Sequence, residues 1–557
     1  MSAAELSSTV PLDGKTSARD FDMADMIINK IRIAARQSDL ARLQAYRVGD
    51  ALRAAHLDLE IEYAFRASLG DRNLSEPLWK MPEKGVFTED FVRDLHEGIA
   101  DLVVHSWKDL PTEERPGLTI AATLPRADQR DLLLFKRSSL PAESNKSGAG
   151  VRRSGIIRVL TSSPRRAFNL DPFLRAYLPM NVSDVVFEDV RGNIPTRMTK
   201  FLNGDADALI VAKAAVDRLL EATEAEFAQA REVVKKCLVQ TRQMVLPLSL
   251  NPTAAAQGAL AVEIRSDRSD LAELLSAIHS DSTFAAVIRE REILASYGGG
   301  CHQKIGISIL DRSFGRVTYL QGLTDAGERL SQAALNTFEE MPKCAGEEKL
   351  FPRAGEESKF FSRTALPREA WLSAEQSQFI FVAREMAWPD SFVLRDDGFV
   401  WTAGLKTWKS LAERGVWVNG SSESLGEREI HALATIAQNV TGHVPSWTKL
   451  THELAANVQV NGVDETLENP HVVSVATYAL SAVAQSPDLR GRTHFYWMSG
   501  TAFDRAVQLQ PEILSAQSHV HASGAGHTHD HLKRHLPLGS TPLVYLSVEQ
   551  FRRAALS

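Results

Sequence analysis

The sequence predicts an α/β protein, because strand-like runs repeatedly lead through a short polar turn into a helix. Ile31-Arg-Ile-Ala-Ala-Arg36 alternates as an opening strand does, and Gln37-Ser-Asp39 then caps a helix over Leu40–His56. The same order recurs where the apolar run Ile156–Leu160 is followed by Thr161–Arg166 at the start of a helix. Strands that alternate with helices build α/β sheets.

Length and composition indicate a multi-domain protein of ordinary globular composition. The chain has 557 residues, of which 44% are apolar and 24% charged, and its net charge of −7 argues against bulk nucleic-acid binding. Residues 1–28 lack the basic and apolar regions of a secretory signal and are expected to be a disordered extension. No apolar run is long enough to span a bilayer. Cys237, Cys301 and Cys344 are too few for a disulfide framework and indicate a reducing cytoplasm.

The run Tyr297-Gly-Gly-Gly-Cys-His302 presents a cysteine after three glycines. Glycine permits positive φ and the close approach of another group, so Cys301 is a candidate covalent attachment point. For the loop taken alone, a helix C-cap with an incidental buried cysteine is the simpler interpretation.

Charged side chains follow directly after the strand expected at Ala100–His105. Ser106, Lys108 and Asp109 stand at its carboxyl end, where open α/β sheets bind ligands. A plain turn is the alternative interpretation of this stretch.

Paired guanidiniums open the helix that begins near Ser163. Cations oppose the helix dipole at that end, so Arg165 and Arg166 suit the binding of carboxylates better than they suit helix stability. A solvated basic turn is the alternative. Cations recur at or near strand-to-helix junctions and indicate a ligand with many carboxylates, with Asp109 among them: Arg36, Lys108, Arg165, Arg166, Arg191, Arg197 and Arg218.

Six motifs occur in the order found in hydroxymethylbilane synthase, also called porphobilinogen deaminase, and the chain resembles that family over roughly Asn29–Met341. The motifs are Ile33-Ala-Ala-Arg-Gln-Ser38, His105-Ser-Trp-Lys-Asp-Leu-Pro111, Thr161-Ser-Ser-Pro-Arg-Arg166, Arg191-Gly-Asn-Ile-Pro-Thr-Arg197, Ala256-Gln-Gly-Ala259 and Gly299-Gly-Cys301.

The resemblance implies two periplasmic-binding-protein-like α/β domains and a small α+β domain that carries the cysteine. Their expected bounds are residues 29–127 plus 255–278, 128–254 and 279–343. It also implies a dipyrromethane cofactor held by Cys301 through a thioether, and porphobilinogen as the substrate. Four substrate units are joined head to tail with loss of ammonia, and hydroxymethylbilane is released by hydrolysis.

Residue roles follow from the resemblance position by position. Asp109, next to Lys108, matches the family's catalytic aspartate. The reaction needs such a group, because a fixed carboxylate stabilises the cationic azafulvene that remains when ammonia leaves. The flexible lid expected near Lys84 departs from the family pattern at Pro82-Glu-Lys-Gly-Val-Phe87. Positions that match cofactor contacts are Cys301, Lys108, Thr161, Ser163, Arg165, Arg166 and Arg197. Positions that match substrate contacts are Arg36, Ser38, Arg191 and Arg218.

The sequence changes character after Pro342. Residues 344–372 are rich in Glu, Lys, Gly and Ser and are expected to be a linker. Beyond them, Phe399–Gly404 and Phe495–Gly500 share the pattern Phe-x-Trp-x-small-Gly, and each is followed by a helix and a second strand and turn. This internal repeat predicts two α/β lobes within residues 373–557.

The order of these elements resembles uroporphyrinogen-III synthase, which closes hydroxymethylbilane into a ring while inverting its last pyrrole. The matching positions are Thr402, Tyr478, Ser499 and Thr528. An inert α/β region that serves stability or partner contacts is the alternative. Six histidines crowd the same region, and an exposed polar loop is expected there rather than a metal site: His519, His521, His527, His529, His531 and His535.

Three functions therefore stay open. They are a bifunctional tetrapyrrole enzyme, a deaminase with an inert C-terminal region, and a non-enzymatic anion-binding or sensory protein on the same fold. The first is favoured, because a binding protein needs neither Asp109 among its arginines nor Cys301 on a glycine loop. We expect porphobilinogen as the only partner, with no nucleic acid, no membrane and no metal, in a cytoplasmic monomer.

Overall fold

The computed structural model describes residues 28–67, 89–140, 155–298, 303–353, 356, 360–456, 472–514 and 518–557. Cys301, the lid expected near Lys84 and nearly all of the expected N-terminal extension lie outside these residues. None of the helices in the described ranges is long and apolar enough to cross a membrane.

The described strands are, in chain order, β1 Lys30–Arg36, β2 Glu60–Arg66, β3 Leu102–Ser106, β4 Leu118–Ala122, β5 Asp131–Lys136, β6 Gly155–Leu160, β7 Val182–Glu188, β8 Ala208–Ala212, β9 Thr241–Val245, β10 Leu260–Arg265, β11 Gly306–Arg312, β12 Gly315–Leu323, β13 Arg329–Thr337, β14 Leu350–Phe351, β15 Phe361–Ala365, β16 Phe379–Val382, β17 Phe399–Thr402, β18 Gly420–Ser421, β19 Trp447–His452, β20 Val472–Ala482, β21 His494–Trp497, β22 Val520–Ser523 and β23 Leu543–Val544.

The described α-helices are Asp39–Ala55, Glu89–His96, Pro164–Tyr177, Ile194–Asn203, Lys213–Glu221, Ala228–Gln240, Ser269–Ser276, Asp281–Ser296, Leu405–Glu413, Ala434–Thr441, Glu453–Ala456, Gly500–Leu509, His527–His535 and Val548–Leu556. Strands and helices alternate along most of the chain, which confirms the mixed α/β class.

Two five-stranded sheets in the N-terminal part share one plan. The first has the order β2-β1-β3-β10-β4 and the second β7-β6-β8-β5-β9. In each, the first three strands of the order pair in parallel, and the fourth strand pairs antiparallel with both of its neighbours. Because β10 belongs to the first sheet but follows β9 of the second, the chain crosses between the sheets twice, at residues 123–130 and 246–259.

A small antiparallel sheet, β11-β12-β13, packs with helix Asp281–Ser296 beside both crossings. Glu290 of that helix is fully buried and binds Arg126 of the first crossing through two hydrogen bonds of 2.8 and 2.9 Å. The same carboxylate accepts the backbone N–H of Ala256 in the second crossing at 2.8 Å. One carboxylate thus holds the small sheet against both connections.

The C-terminal part contains two further sheets, with the orders β15-β20-β19-β16-β17-β18 and β14-β21-β22-β23. The strands from β16 to β20 pair in parallel within the first, and all strands of the second are parallel. Residues 344–372 were expected to be a linker, but they contain two edge strands. β15 lies at the edge of the first of these sheets and β14 at the edge of the second. β15 contains Ser, Arg and Thr, which an edge strand tolerates, and β14 is an apolar pair too short to stand out from the polar residues around it.

The first C-terminal sheet shares a hydrophobic core with the second N-terminal sheet. Phe135 and Phe173 lie in one buried cluster with Trp408 and Trp417. The Trp417 indole N–H donates to the Gln243 carbonyl at 3.0 Å. The two parts of the chain are therefore joined by buried packing as well as by the polypeptide.

Candidate functional site

Lys108 and Asp109 lie immediately beyond the carboxyl end of β3. The short 3₁₀ helix Trp107–Asp109 is anchored by Trp107, which is buried and whose backbone N–H donates to the Ala259 carbonyl at 3.1 Å. Asp109 is exposed, whereas Lys108 is half-buried. The buried tryptophan thus fixes a turn that leaves Asp109 exposed at the sheet edge.

The Lys108 ammonium is held by Gln257 of the second crossing. Its Nζ donates to Gln257 Oε1 at 3.2 Å. Burial lowers the pKa of Lys108 to about 8, although the neighbouring Asp109 opposes that change. Lys108 can therefore gain or lose a proton close to neutral pH.

A buried carboxylate that the sequence analysis did not single out, Asp131, lies at the centre of the cationic cluster. It is fully buried and accepts hydrogen bonds from Arg165 at 2.9 Å and from Arg166 at 2.6 and 3.1 Å. Asn251 and Gln257 donate to it at 3.0 and 2.8 Å. Burial alone would raise the pKa of Asp131, but Arg166 and Arg165 hold it well below its usual range.

The paired guanidiniums of Arg165 and Arg166 are thus not solvated, since only 4% and 8% of their surfaces are exposed. Arg165 also donates to the Asn251 side chain at 3.1 Å and to the Pro252 carbonyl at 2.7 Å. The solvated basic turn that was the alternative for this stretch is therefore wrong. Asp131 accepts hydrogen bonds from both guanidiniums, so fewer of their N–H groups remain for a ligand. What the pair offers a ligand is mainly positive charge.

The hydroxyl groups next to this pair have structural partners. Ser163 caps helix Pro164–Tyr177 by accepting the Arg166 N–H at 3.4 Å, and Thr161 accepts the Ser163 N–H at 3.3 Å. Ser38 occupies the N-cap position of helix Asp39–Ala55 but makes no side-chain cap bond. Its side chain instead lines a cleft between the end of β1 and the second sheet.

A cleft of about 630 Å³ separates the end of β1 from the second sheet. Ser38 lines one wall, and Arg191 with Asn193 lines the other. Two of the predicted substrate residues thus face each other across this cleft. Arg36 is half-buried as the last residue of β1, directly before this wall.

Two further predicted cations are largely buried and donate to backbone carbonyls. Arg197 donates from Nε to the Gly192 carbonyl at 2.7 Å, and burial together with Arg166 and Arg191 lowers its pKa to about 10. Arg218 donates to the Gly258 carbonyl at 2.7 Å, and burial lowers its pKa to about 10. The Arg218 Nε is buried without a partner in the described part of the chain.

A second cleft, of about 670 Å³, lies between the two C-terminal sheets. Tyr478, Ser499 and Thr528 line it, as three of the four predicted second-site residues. Thr402 does not line it, because this last residue of β17 is fully buried and donates to the Gly420 carbonyl at 3.5 Å.

The second cleft also contains cations that were not predicted from the sequence as site residues, namely Arg384, Lys449, Arg505 and Arg534. Arg384 donates to the Met498 carbonyl at 3.0 Å, which joins the two lobes, and Arg505 has a buried Nε without a partner among the described residues. Burial and the nearby cations lower the pKa of His452 to about 4, so it is neutral at physiological pH. No local sequence pattern marks these residues, because they come from different strands and helices.

The six C-terminal histidines do not form the exposed loop that was expected. His521 lies on the buried strand β22, and His529 is buried in helix His527–His535. His531 pairs with Asp504 at 2.7 Å. Within the described ranges, no group of three or more His, Cys, Asp or Glu residues is arranged to hold a metal ion.

Comparison with protein-family models matches residues 31–273 to "Porphobilinogen deaminase, dipyromethane cofactor binding domain". Among similar proteins, the porphobilinogen deaminase of Syntrophomonas wolfei is 36% identical over 297 residues, which are 53% of this chain and 85% of that protein. The porphobilinogen deaminase of Acidothermus cellulolyticus is 38% identical over 288 residues, 50% of this chain and 75% of that protein.

The porphobilinogen deaminase of Prochlorococcus marinus NATL1A is 32% identical over 284 residues, 51% of this chain and 80% of that protein. The matched region contains both N-terminal sheets, Asp109 and the cations around it. On this coverage and identity, the chain belongs to the porphobilinogen deaminase family.

Proposed function

We propose that this chain is a hydroxymethylbilane synthase that joins four porphobilinogen molecules with release of ammonia. The observation that carries the proposal is the position of Asp109, an exposed carboxylate at the end of β3 beside Lys108 and next to a cluster of arginines. A second activity, in the C-terminal cleft, is proposed separately below.

The cation-rich cluster suits the dipyrromethane cofactor of the family. Each pyrrole of that group carries an acetate and a propionate, and the repulsion from Arg166 and Arg191 that helps to lower the pKa of Arg197 would be relieved by such carboxylates. Cys301 would hold the group by a thioether, with these residues against it: Lys108, Thr161, Ser163, Arg165, Arg166 and Arg197. When bound, the group supplies the free pyrrole carbon to which the first substrate is joined.

The chain's own residues then bind and polarise the substrate. Arg36, Ser38, Arg191 and Arg218 would hold its carboxylates, with charge-assisted hydrogen bonds from the arginines. Asp109 is held on a rigid turn, so its carboxylate needs little reorganisation to stabilise the positive charge that develops as ammonia departs. Lys108, with a pKa of about 8, can hold or release a proton at its Nζ near neutral pH.

Turnover of Asp109→Asn tests this assignment. The variant should keep the fold and lose at least about 100-fold in kcat, because an amide cannot stabilise a cation as a carboxylate does. Hydroxymethylbilane formation from porphobilinogen is measured by stopped assays. Asp267→Asn, which changes an exposed aspartate paired with Arg265, is the matched control and should turn over normally. Asp109→Asn turning over at the control rate would refute the role of Asp109.

The C-terminal cleft supports a second proposed activity, the cyclisation of hydroxymethylbilane to uroporphyrinogen III. The supporting observation is a cleft between two parallel sheets that combines the hydroxyls of Tyr478, Ser499 and Thr528 with guanidiniums. A polycarboxylate product of the first site is a suitable ligand for such a lining.

The isomer made by the whole chain from porphobilinogen tests the second activity. The type III isomer is expected from the unaltered chain, and a shift toward the type I isomer is expected from Tyr478→Phe, with hydroxymethylbilane formation unchanged. If the unaltered chain gives only the type I isomer of the uncatalysed reaction, the C-terminal region is inert.

A further inference from the structure

The loop that follows β18 reaches from the C-terminal part into the second crossing. The Glu423 carboxylate accepts the backbone N–H of Leu248 at 2.9 Å and that of Ser249 at 2.8 Å. These two donors are 175 and 174 residues away in sequence. The carboxylate therefore clamps the backbone just beyond β9, in the segment that returns to the first sheet.

The loop adopts an unfavourable backbone conformation to place this carboxylate. Glu423 and the adjacent Ser424 have φ angles of +49° and +64°, which residues with a side chain rarely adopt. Ser421 Oγ accepts the Glu423 N–H at 3.1 Å, which helps to fix the bend. Such strain persists only where surrounding contacts maintain it, and the two bonds to residues 248 and 249 are contacts of that kind.

The clamped segment leads within two residues to the cationic cluster. Asn251 is fully buried, donates to Asp131 at 3.0 Å and accepts from Arg165 at 3.1 Å. The next residue, Pro252, accepts from the same guanidinium at 2.7 Å. The position of Arg165 thus depends on a turn whose first residues are held by Glu423.

The other side of the same loop faces the C-terminal cleft. Ser422, Ser424, Gly426 and Glu427 line that cleft. One short loop therefore touches the C-terminal cleft on one side and the backbone that supports the deaminase cluster on the other.

We propose that Glu423 is a positioning residue of the deaminase site, supplied by the C-terminal part of the chain. It acts through the turn at residues 247–252, which places Asn251 and Arg165 around Asp131. This proposal rests on the proposed deaminase activity. It makes the first site dependent on the C-terminal part whether or not that part has an activity of its own.

The test compares Glu423→Gln with a control, Thr435→Ala, in the full chain. Thr435 donates to Glu221 at 3.1 Å across the same interface and makes none of the hydrogen bonds that hold residues 248 and 249, so its variant should match the unaltered chain. Glu423→Gln loses one of the two acceptors. It should increase amide hydrogen exchange at Leu248 and Ser249. It should also lower kcat/KM for porphobilinogen at least about tenfold, because a misplacement of about 1 Å caused by a remote substitution can cost about 100-fold.

A double-mutant cycle with Asn251→Ala separates positioning from general destabilisation. If Glu423 acts through Asn251, the double variant should be hardly slower than Asn251→Ala alone, because residues in one network do not contribute additively. Fully additive effects on kcat/KM, or unchanged exchange at residues 248 and 249, would overturn the proposal. If Glu423→Gln does not fold, Glu423→Asp replaces it with the same expected direction.

The proposal and the deaminase assignment fail in different ways. An unaltered chain with no turnover overturns the deaminase activity and the role of Glu423 with it. An active unaltered chain whose Glu423→Gln variant turns over like Thr435→Ala overturns the role of Glu423 alone.

Discussion

At the scale of single residues, Asp131 organises the cations of the deaminase cluster. It binds Arg165 and Arg166 directly, and it binds Gln257, which in turn holds Lys108. A carboxylate that is fully buried would be unfavourable alone. Here two guanidiniums compensate its charge, and two side-chain amides donate further hydrogen bonds to it. One side chain thus sets the positions of three cations.

Asp131→Asn should destabilise the protein strongly. The substitution leaves two buried guanidiniums without their counter-charge, and removal of one partner from a buried ion pair typically costs about 3–5 kcal/mol. Unfolding in urea, followed by circular dichroism, measures the loss. Asp267→Asn, which breaks an exposed pair, should leave the free energy of unfolding nearly unchanged. Equal effects of the two substitutions would contradict the role given to Asp131.

The residues predicted from the sequence and those that were missed differ in whether a local sequence pattern marks them. Lys108 and Asp109 could be predicted because both directly follow the strand that positions them. Asp131 and Glu423 could not, since no local pattern connects them to their partners, which lie 34 to 126 residues from Asp131 and 174 or 175 residues from Glu423. A signal for Asp131 did exist in retrospect, as a charged residue at the start of the apolar strand β5.

At the scale of elements, β22 carries an imidazole into the core of the last sheet. His521 is stacked on Phe495 with ring centroids 5.1 Å apart, and its Nδ1 accepts the Trp497 indole N–H at 3.1 Å. Burial lowers the pKa of His521 to about 4 from its ordinary 6.5. The folded strand therefore contains a neutral imidazole over most of the acidic range.

Acid should consequently destabilise this part of the chain. Between pH 6.5 and 4 the unfolded chain binds a proton at His521 that the folded chain does not, so the stability is complete above pH 6.5 and is lost as the pH falls. At pH 5.5 the contribution of this one group is about 1 kcal/mol.

Urea unfolding at pH 7 and pH 5.5 checks the prediction about acid. In His521→Asn, the decrease in the free energy of unfolding between the two pH values should be smaller by that amount. The exposed His96, changed to Asn, serves as the control and should leave the decrease as it is in the unaltered chain. A decrease that is the same in all three proteins would show that His521 is not responsible.

The edge strands show why one element escaped prediction. β14 and β15 are short and pair on one side only, and β14 is only the apolar dipeptide Leu350–Phe351. Period-two alternation is a weak signal over two to five residues, whereas the longer strands β1 and β6, of seven and six residues, were recognisable from their sequence.

At the scale of the whole molecule, the two parts of the chain should unfold together. Trp417 is 1% exposed, packs against Phe135 with ring centroids 5.7 Å apart, and donates to Gln243 of the second N-terminal sheet. Trp417→Ala should therefore lower the stability of both parts by about 3–5 kcal/mol. Hydrogen exchange during a urea titration follows each sheet separately.

Leu538→Ala, which removes a fully exposed side chain, is the matched control and should change the free energy of unfolding by less than about 0.5 kcal/mol. Two independent transitions in the unaltered chain, with only the C-terminal one moved by Trp417→Ala, would show that the shared core does not couple the parts.

The intact mass of the purified full-length protein, compared with that of Cys301→Ser, tests the central assignment most directly. We expect an added mass equal to one dipyrromethane on the unaltered chain and none on the variant. A chain that carries no added mass, and gains none on incubation with porphobilinogen, would contradict the deaminase assignment.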